Sequence, residues 1–132
     1  MRRLTVAALL LWAVTIVGLG YLFVFGLTTP SADGRLAVVL TDVERDHVLT
    51  EMRGLLQAVA EISRALSQDD NAQAAKSASA VGMAATQLES LMLMAKLPLD
   101  FKQRGLRVHA GFDEIAAAAE AGATTQTISA PL

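Results

Sequence analysis

Residues 4–27 read LTVAALLLWAVTIVGLGYLFVFGL, a run of 24 residues without a charged side chain. A helix of this length is roughly 36 Å long at about 1.5 Å per residue, more than a hydrocarbon core of about 30 Å. A secretory signal has a shorter apolar region, of about 7 to 15 residues, that ends in small residues. Because this run continues into large aromatic residues, we interpret it as a transmembrane signal anchor that is not cleaved.

The charges on either side of the run indicate its orientation. Arg2 and Arg3 precede it, and acidic residues dominate the stretch after it: Asp33, Asp42, Glu44 and Asp46. By the positive-inside rule, the N-terminus is cytoplasmic and the chain from about Thr28 onward lies in the periplasm. The sequence therefore predicts a single-pass protein of the inner (cytoplasmic) membrane.

The overall composition excludes several classes of function. The chain has 11 Lys and Arg, 13 Asp and Glu, a formal net charge of -2 and no cysteine. A surface for nucleic acid needs a clustered excess of basic residues, whereas the basic residues here are scattered among carboxylates. Without cysteine, no disulfide holds the exported part together, and no thiolate binds a metal.

The exported part begins with one amphipathic helix. Thr41 and Glu44 have the spacing of a capping box, which satisfies two backbone N–H groups where a helix starts. Apolar residues then repeat at alternating steps of four and three, which predicts one apolar seam along a helix. The seam consists of Val48, Met52, Leu55, Val59, Ile62 and Leu66.

Two further seams predict two more helices. Asp69, Asp70 and Asn71 supply polar groups to the start of the second helix. Its seam is Ala74, Ala78, Val81, Ala85, Leu88, Met92 and Ala95. Pro98 ends that helix, and Asp100 is the expected N-cap of the third. The third seam is Phe101, Gly105, Val108, Phe112, Ile115 and Ala119, with Gly122 as a stop signal.

The expected fold class is all-α: a transmembrane helix followed by an antiparallel bundle of three helices, an incomplete four-helix bundle. We expect a cytoplasmic stub and anchor in residues 1–29, a linker or helix lead-in in 30–40, the bundle in 41–123 and a tail in 124–132. With no fourth helix, the edges of the first and third seams stay uncovered. These edges are the expected surface for a protein partner or for self-association.

A resemblance to a known family rests on several segments in order. The first segments are 52–56, 58–66, Asp69-Asp70 and the alanine-rich 72–85. The later segments are Leu97-Pro98-Leu99-Asp100-Phe101, 109–116 and 119–122. Together they resemble the first three helices of the cytochrome c-prime type, the class II c-type cytochromes. The resemblance implies a periplasmic four-helix bundle that carries haem for electron transfer or gas binding.

The site of that superfamily is missing from this sequence. Its haem is attached through a Cys-x-x-Cys-His motif in the fourth helix, and this chain has no cysteine. Covalent haem attachment through that motif is therefore excluded for the sequence as it stands. We expect a haem-less relative that is truncated before the fourth helix.

Non-covalent haem is the alternative. Related b-type cytochromes hold haem through a methionine on the first helix and a histidine on the last, which here would be Met52 and His109. At about 100° per residue, His109 lies roughly 70° from the centre of the third seam, a position more typical of a structural histidine. No nucleophile motif, phosphate loop or metal-ligand pair is present, so we expect neither an enzyme nor a metal site.

These patterns leave three functions open. The first is a membrane-anchored binding or accessory module of a membrane complex, without a cofactor. The second is electron transfer with haem held by Met52 and His109. The third is a periplasmic sensor, although such receptors normally continue through a second span, and no further run of adequate length comes after Leu27.

Overall fold

The computed structural model describes residues 2–88 and 90–123, and the predicted tail, 124–132, lies outside them. The described residues form five α-helices, one 3₁₀ helix and two short strands. In chain order these are α1 (Arg2–Phe25), β1 (Thr28–Pro30), β2 (Leu36–Val38), α2 (Asp42–Ser67), α3 (Asn71–Ser79), the 3₁₀ helix (Met83–Leu88), α4 (Leu91–Lys96) and α5 (Leu99–Glu120). The predicted all-α class, with a long apolar helix at the N-terminus, is confirmed.

The chain forms two compact units. Within the described residues, the first unit comprises 2–40 and 90–102, and the second comprises 41–88 and 103–123. This division differs from the expected bundle of residues 41–123, because residues 90–102 pack with the first unit. Two contacts illustrate the reason: the Leu27 N–H donates to the Lys96 carbonyl over 2.8 Å, and the Lys102 ammonium donates to the Phe23 carbonyl.

In the first unit, α1 is long and apolar enough to cross a membrane, and no residue of its Arg3–Phe25 segment is buried. It is followed by an antiparallel hairpin in which Thr28 pairs with Val38, and Pro30 with Leu36. The sequence predicted a linker or helix lead-in for residues 30–40 and no strands. The pairing of Leu36–Val38 excludes a helix for these three residues. The β-branched character of this stretch and a tight turn with Gly34 at φ +81° favour the strands.

The turn of the hairpin is held by an exposed ion pair. The Asp33 carboxylate accepts hydrogen bonds from the side chain and from the backbone N–H of Arg35. The side-chain hydrogen bond from Arg35 is the main reason why the pKa of Asp33 lies below its ordinary value. The pair fixes the local turn. Because it is exposed to solvent, it adds little to the stability of the unit.

The second unit starts as predicted. Thr41 and Glu44 form the capping box of α2, with Glu44 accepting from the Thr41 N–H over 2.8 Å. Asp70 caps α3 by accepting from the Gln73 N–H over 2.9 Å. Helices α2 and α3 pack antiparallel, so that the Ser77 hydroxyl reaches the Glu61 carboxylate across the turn that joins them.

The predicted second helix is broken, and the prediction that it runs through one continuous seam is wrong. Helix α3 ends at Ser79, and Val81 lies in the turn that follows it. The other seam residues fall in the 3₁₀ helix (Ala85 and Leu88) and in α4 (Met92 and Ala95). Two side chains of α5 hold the break: Asp113 accepts from the Met83 N–H over 3.0 Å, and His109 contacts the Val81 carbonyl. Gly82 lies directly against the Asp113 carboxylate, where a Cβ atom would overlap it.

The ends of α5 differ slightly from expectation. The helix begins at Leu99, so Asp100 lies in its first turn and is not the N-cap. A carboxylate in the first turn still interacts favourably with the helix dipole. The predicted stop at Gly122 is confirmed, because that residue has φ +69° and donates to the Ala119 carbonyl just past the end of the helix.

The core of the second unit is made mostly of alanine. Seven of its eleven residues are alanines, and Ile62 is its largest fully buried side chain. The other large members are Leu66, Phe112 and Ile115. Alanine lets helix backbones approach closely but removes little apolar surface from water per residue. This core therefore leaves much of the apolar surface of α2 and α5 outside it.

Candidate functional site

An open groove lies between α2 and α5 in the second unit. It has a volume of about 550 Å³ and is lined by Val59, Arg104, Arg107, Val108, Gly111, Phe112 and Ile115. Phe112 and Ile115 belong to the buried core, whereas Val108 is exposed. The groove is thus an apolar surface next to the core that no described segment of the chain covers.

The spacing of residues on α5 produces this groove. Residues 104, 108, 111 and 115 recur at steps of four and three, so they share one face of the helix. Gly111 interrupts that face with no side chain, and a Cβ atom built there would meet nothing within 4 Å. The glycine therefore leaves room at the centre of the groove.

Helix α2 extends the apolar surface in one direction. Leu49, Met52, Leu56 and Val59 are spaced by three and four residues, and the first three are exposed. This exposed stripe ends at Val59, which lines the groove. The sequence predicted an uncovered surface along the edges of the first and third seams, and Val59, Val108, Phe112 and Ile115 come from those seams.

The charged groups that line the groove are both basic. Arg104 and Arg107 belong to α5, and none of the described residues that line the groove is acidic. Guanidinium groups pair with carboxylates in a fork geometry, and their stems cover apolar surface. The groove therefore combines an apolar floor with positive charge at its edge.

The two residues predicted to hold haem lie in different surroundings. Met52, 41% exposed, belongs to the stripe on α2 that leads to the groove. His109 is half-buried, and its Nδ1 lies 2.8 Å from the Val81 carbonyl oxygen. Because a carbonyl oxygen only accepts, Nδ1 carries the proton and donates it. Ligation of haem by this pair stays a prediction.

Within residues 2–88 and 90–123, no group of three or more His, Cys, Asp or Glu side chains is arranged to hold a metal ion. Asp113 and His109 stand one helical turn apart, and both bind the backbone of the segment 81–83. Their role in the described structure is to fix the break after α3.

A second polar feature lies where α1 ends, in the first unit. Lys102 is only 9% exposed, and its Nζ donates to the Phe23 carbonyl over 3.1 Å and stands 4.3 Å from the centre of the Phe23 ring. A cation at this place satisfies one of the carbonyls that a helix leaves without an internal partner. No local sequence pattern signals this contact, because 79 residues separate the two partners.

Gly26 allows the segment 96–98 to pack against the end of α1. It has φ +66°, and a Cβ atom on it would lie 2.6 Å from the Pro98 nitrogen and 2.8 Å from the Leu97 carbonyl carbon. Only glycine adopts this conformation readily and also allows the segment 96–98 to approach so closely. A glycine near the end of the long apolar run was the one sequence signal for this contact.

Comparison with models of known families, with curated proteins and with solved structures finds no match for this chain.

Replacing Gly26 by alanine should release the segment 96–98 from the end of α1. The strain of about 1–3 kcal/mol at a positive φ, added to the overlap with Leu97 and Pro98, favours the open form by roughly tenfold or more. We expect trypsin to cleave the full-length chain in detergent micelles after Lys96 correspondingly faster.

Gly18→Ala is the matched control, because a Cβ atom at Gly18 meets nothing within 4 Å. Its cleavage rate after Lys96 should equal that of the unaltered chain. Equal rates for Gly26→Ala and Gly18→Ala would contradict the contact.

Proposed function

We propose that this protein is a single-pass membrane protein, anchored by α1, whose helical second unit is a binding or accessory module of a membrane complex. The charge pattern supports a cytoplasmic N-terminus and a periplasmic location for the later helices. The order of segments supports kinship with the cytochrome c-prime type, without covalent haem. The proposed role is binding and involves no catalysis.

The observation that carries this proposal is the groove between α2 and α5. An apolar channel along two helices is the kind of surface that receives an amphipathic helix of a partner. We infer that the partner helix carries apolar side chains spaced by three and four residues, which contact Val59, Val108 and Phe112. Its carboxylates lie opposite Arg107. The basic edge of the groove and the absence of acidic lining residues within the described chain support a negative charge on the partner helix.

The size of the groove also supports a helix as occupant. A volume of about 550 Å³ accommodates several side chains of one helix. A helix in this position completes a four-helix arrangement and covers part of the apolar surface that the alanine core leaves exposed. The affinity then depends on a few well-packed apolar anchors.

A photo-crosslinking residue at position 108 tests this function in the membranes of the native host. The expected result is one dominant adduct whose crosslinked peptide is an amphipathic helix with Asp or Glu beside its apolar face. Gly111→Leu should strongly reduce that adduct, because leucine fills the centre of the groove and, as a better helix former than glycine, keeps α5 stable.

Gly54→Leu is the matched control on α2, since Gly54 is not among the lining residues and a Cβ atom there meets nothing within 4 Å. It should leave the adduct unchanged. A diffuse set of adducts at position 108, equally strong in Gly111→Leu, would refute a role for the groove.

We propose non-covalent haem as the second candidate because of the orientation of His109. The Val81 carbonyl favours the tautomer that carries the proton on Nδ1, and in the neutral imidazole Nε2 then has the lone pair. Histidine ligands of metals are commonly oriented in this way by a backbone carbonyl. Met52 on α2 would be the second residue to hold the haem, and the bound haem would supply one-electron chemistry.

Haem binding is tested by the absorption spectrum of the full-length chain in detergent, oxidised and reduced, after expression with haem supplied. A stoichiometric Soret band that is lost in His109→Ala is the result expected of a cytochrome. His47→Ala is the control, and it should keep the band. A well-folded helical sample with a flat spectrum would eliminate this candidate and leave the groove as the basis of function.

A further inference from the structure

Helix α4 is almost entirely apolar, although two of its large side chains are exposed. Five of the six residues in Leu91–Lys96 are apolar. Leu93 is buried, whereas Leu91 is 86% exposed and Met92 is 71% exposed. A helix that is hydrophobic all round is stable inside a large core or within a membrane. The described part of the chain offers no core for Leu91 and Met92.

Helix α4 packs alongside the last turns of α1, within the same unit. Ala95 lines a shallow groove of about 490 Å³ together with Ile16, Leu19, Gly20, Leu22 and Phe23. Ile16 lies nine residues before the end of α1 at Phe25, which corresponds to roughly 13 Å along the helix axis. The groove that Ala95 lines therefore extends well inside the apolar helix and is not confined to its tip.

This position fixes the depth of α4 once α1 crosses a bilayer. A helix of 24 residues is about 36 Å long and exceeds a hydrocarbon core of about 30 Å by only about 3 Å at each end. Most of the segment from Ile16 to Phe23 then lies among acyl chains. Side chains of α4 that point away from α1 have the same surroundings.

We propose that α4 is a second membrane-contacting element, which inserts Leu91 and Met92 among the lipid acyl chains of the leaflet that surrounds the C-terminal end of α1. This inference rests on the proposed anchoring by α1. It assigns lipid, and not a second protein, as the occupant of the exposed face of α4. Ala95 of α4 lines one groove with residues of α1, and no residue of the Arg3–Phe25 segment of α1 is buried.

The positions of Lys96 and Lys102 are consistent with the depth proposed for α4. Lys96, half-buried, is the last residue of α4, and its carbonyl accepts from the Leu27 N–H beyond the end of α1. Lys102 binds the carbonyl of Phe23, near the end of α1. Lysine side chains at this level reach the headgroup region while their stems stay in apolar surroundings. The residues after α4 thus return the chain from the acyl region to the polar interface.

The insertion is tested by site-directed nitroxide labelling of the full-length chain in vesicles of phosphatidylcholine and phosphatidylglycerol. The natural sequence has no cysteine, so each variant carries a single label. The positions are Leu91→Cys and Met92→Cys, with Leu56→Cys on α2 as the aqueous control and Leu19→Cys as the control for the anchor. Met92 and Leu56 are both 71% exposed, so they are matched in exposure and differ in the proposed lipid contact.

The measured quantity is the ratio of collision rates with oxygen, which dissolves in lipid, and with a water-soluble nickel chelate. We expect the ratio at residues 91 and 92 to be similar to that at residue 19 and several-fold higher than that at residue 56. A ratio at 91 and 92 equal to that at 56, with a high ratio at 19, would overturn the inference and leave the anchor intact.

Two other outcomes also overturn the inference. A low ratio at residue 19 means that α1 does not span the bilayer, and the anchoring part of the proposed function then fails first. Low collision rates with both agents at residues 91 and 92 mean that protein covers α4, and lipid is then not its occupant.

Discussion

The first unit depends on the carbonyl groups at the C-terminal end of α1. A helix leaves its last carbonyls without internal partners, and for an apolar helix that ends near a membrane surface water does not reliably supply them. Here Gly26 donates to the Leu22 carbonyl, and Lys102 donates to the Phe23 carbonyl. The Leu27 N–H then binds Lys96. These bonds bring the segment 96–102 to α1, and α4, which ends at Lys96, is placed beside α1 as a result.

The second unit is governed by a different constraint, the small size of its core. Alanines allow close packing of helices but bury little surface, and Ile62 is the largest side chain that is fully removed from water. Leu49, Met52 and Leu56 stay exposed on α2, and Val108 stays exposed on α5. A groove between the two helices with a basic edge is the consequence, and it is the physical basis for a binding role.

The sequence predicted the features that depend on local signals. The capping box at Thr41 and Glu44, the polar start at Asp70 and the stop at Gly122 all act within a few residues, and the structure contains all three. The apolar run and the seam of α2 depend on periodicity alone. The break after Ser79 was not predicted, because alanine-rich periodicity continues through it while Asp113 and His109, about 30 residues later, impose the irregular path. The contact of Lys102 with Phe23 was not predicted either, because its two partners are also far apart in the sequence.

Hydrogen exchange of the full-length chain in lipid nanodiscs tests most directly whether α4 and the end of α1 share the acyl region. A helix of six residues has few internal hydrogen bonds and exchanges quickly in water. The 3₁₀ helix Met83–Leu88, also of six residues, is the reference within the same sample. We predict that amides of α4 are protected nearly as well as those of α1, while those of the 3₁₀ helix exchange early. Exchange of α4 at the rate of the 3₁₀ helix would contradict this placement.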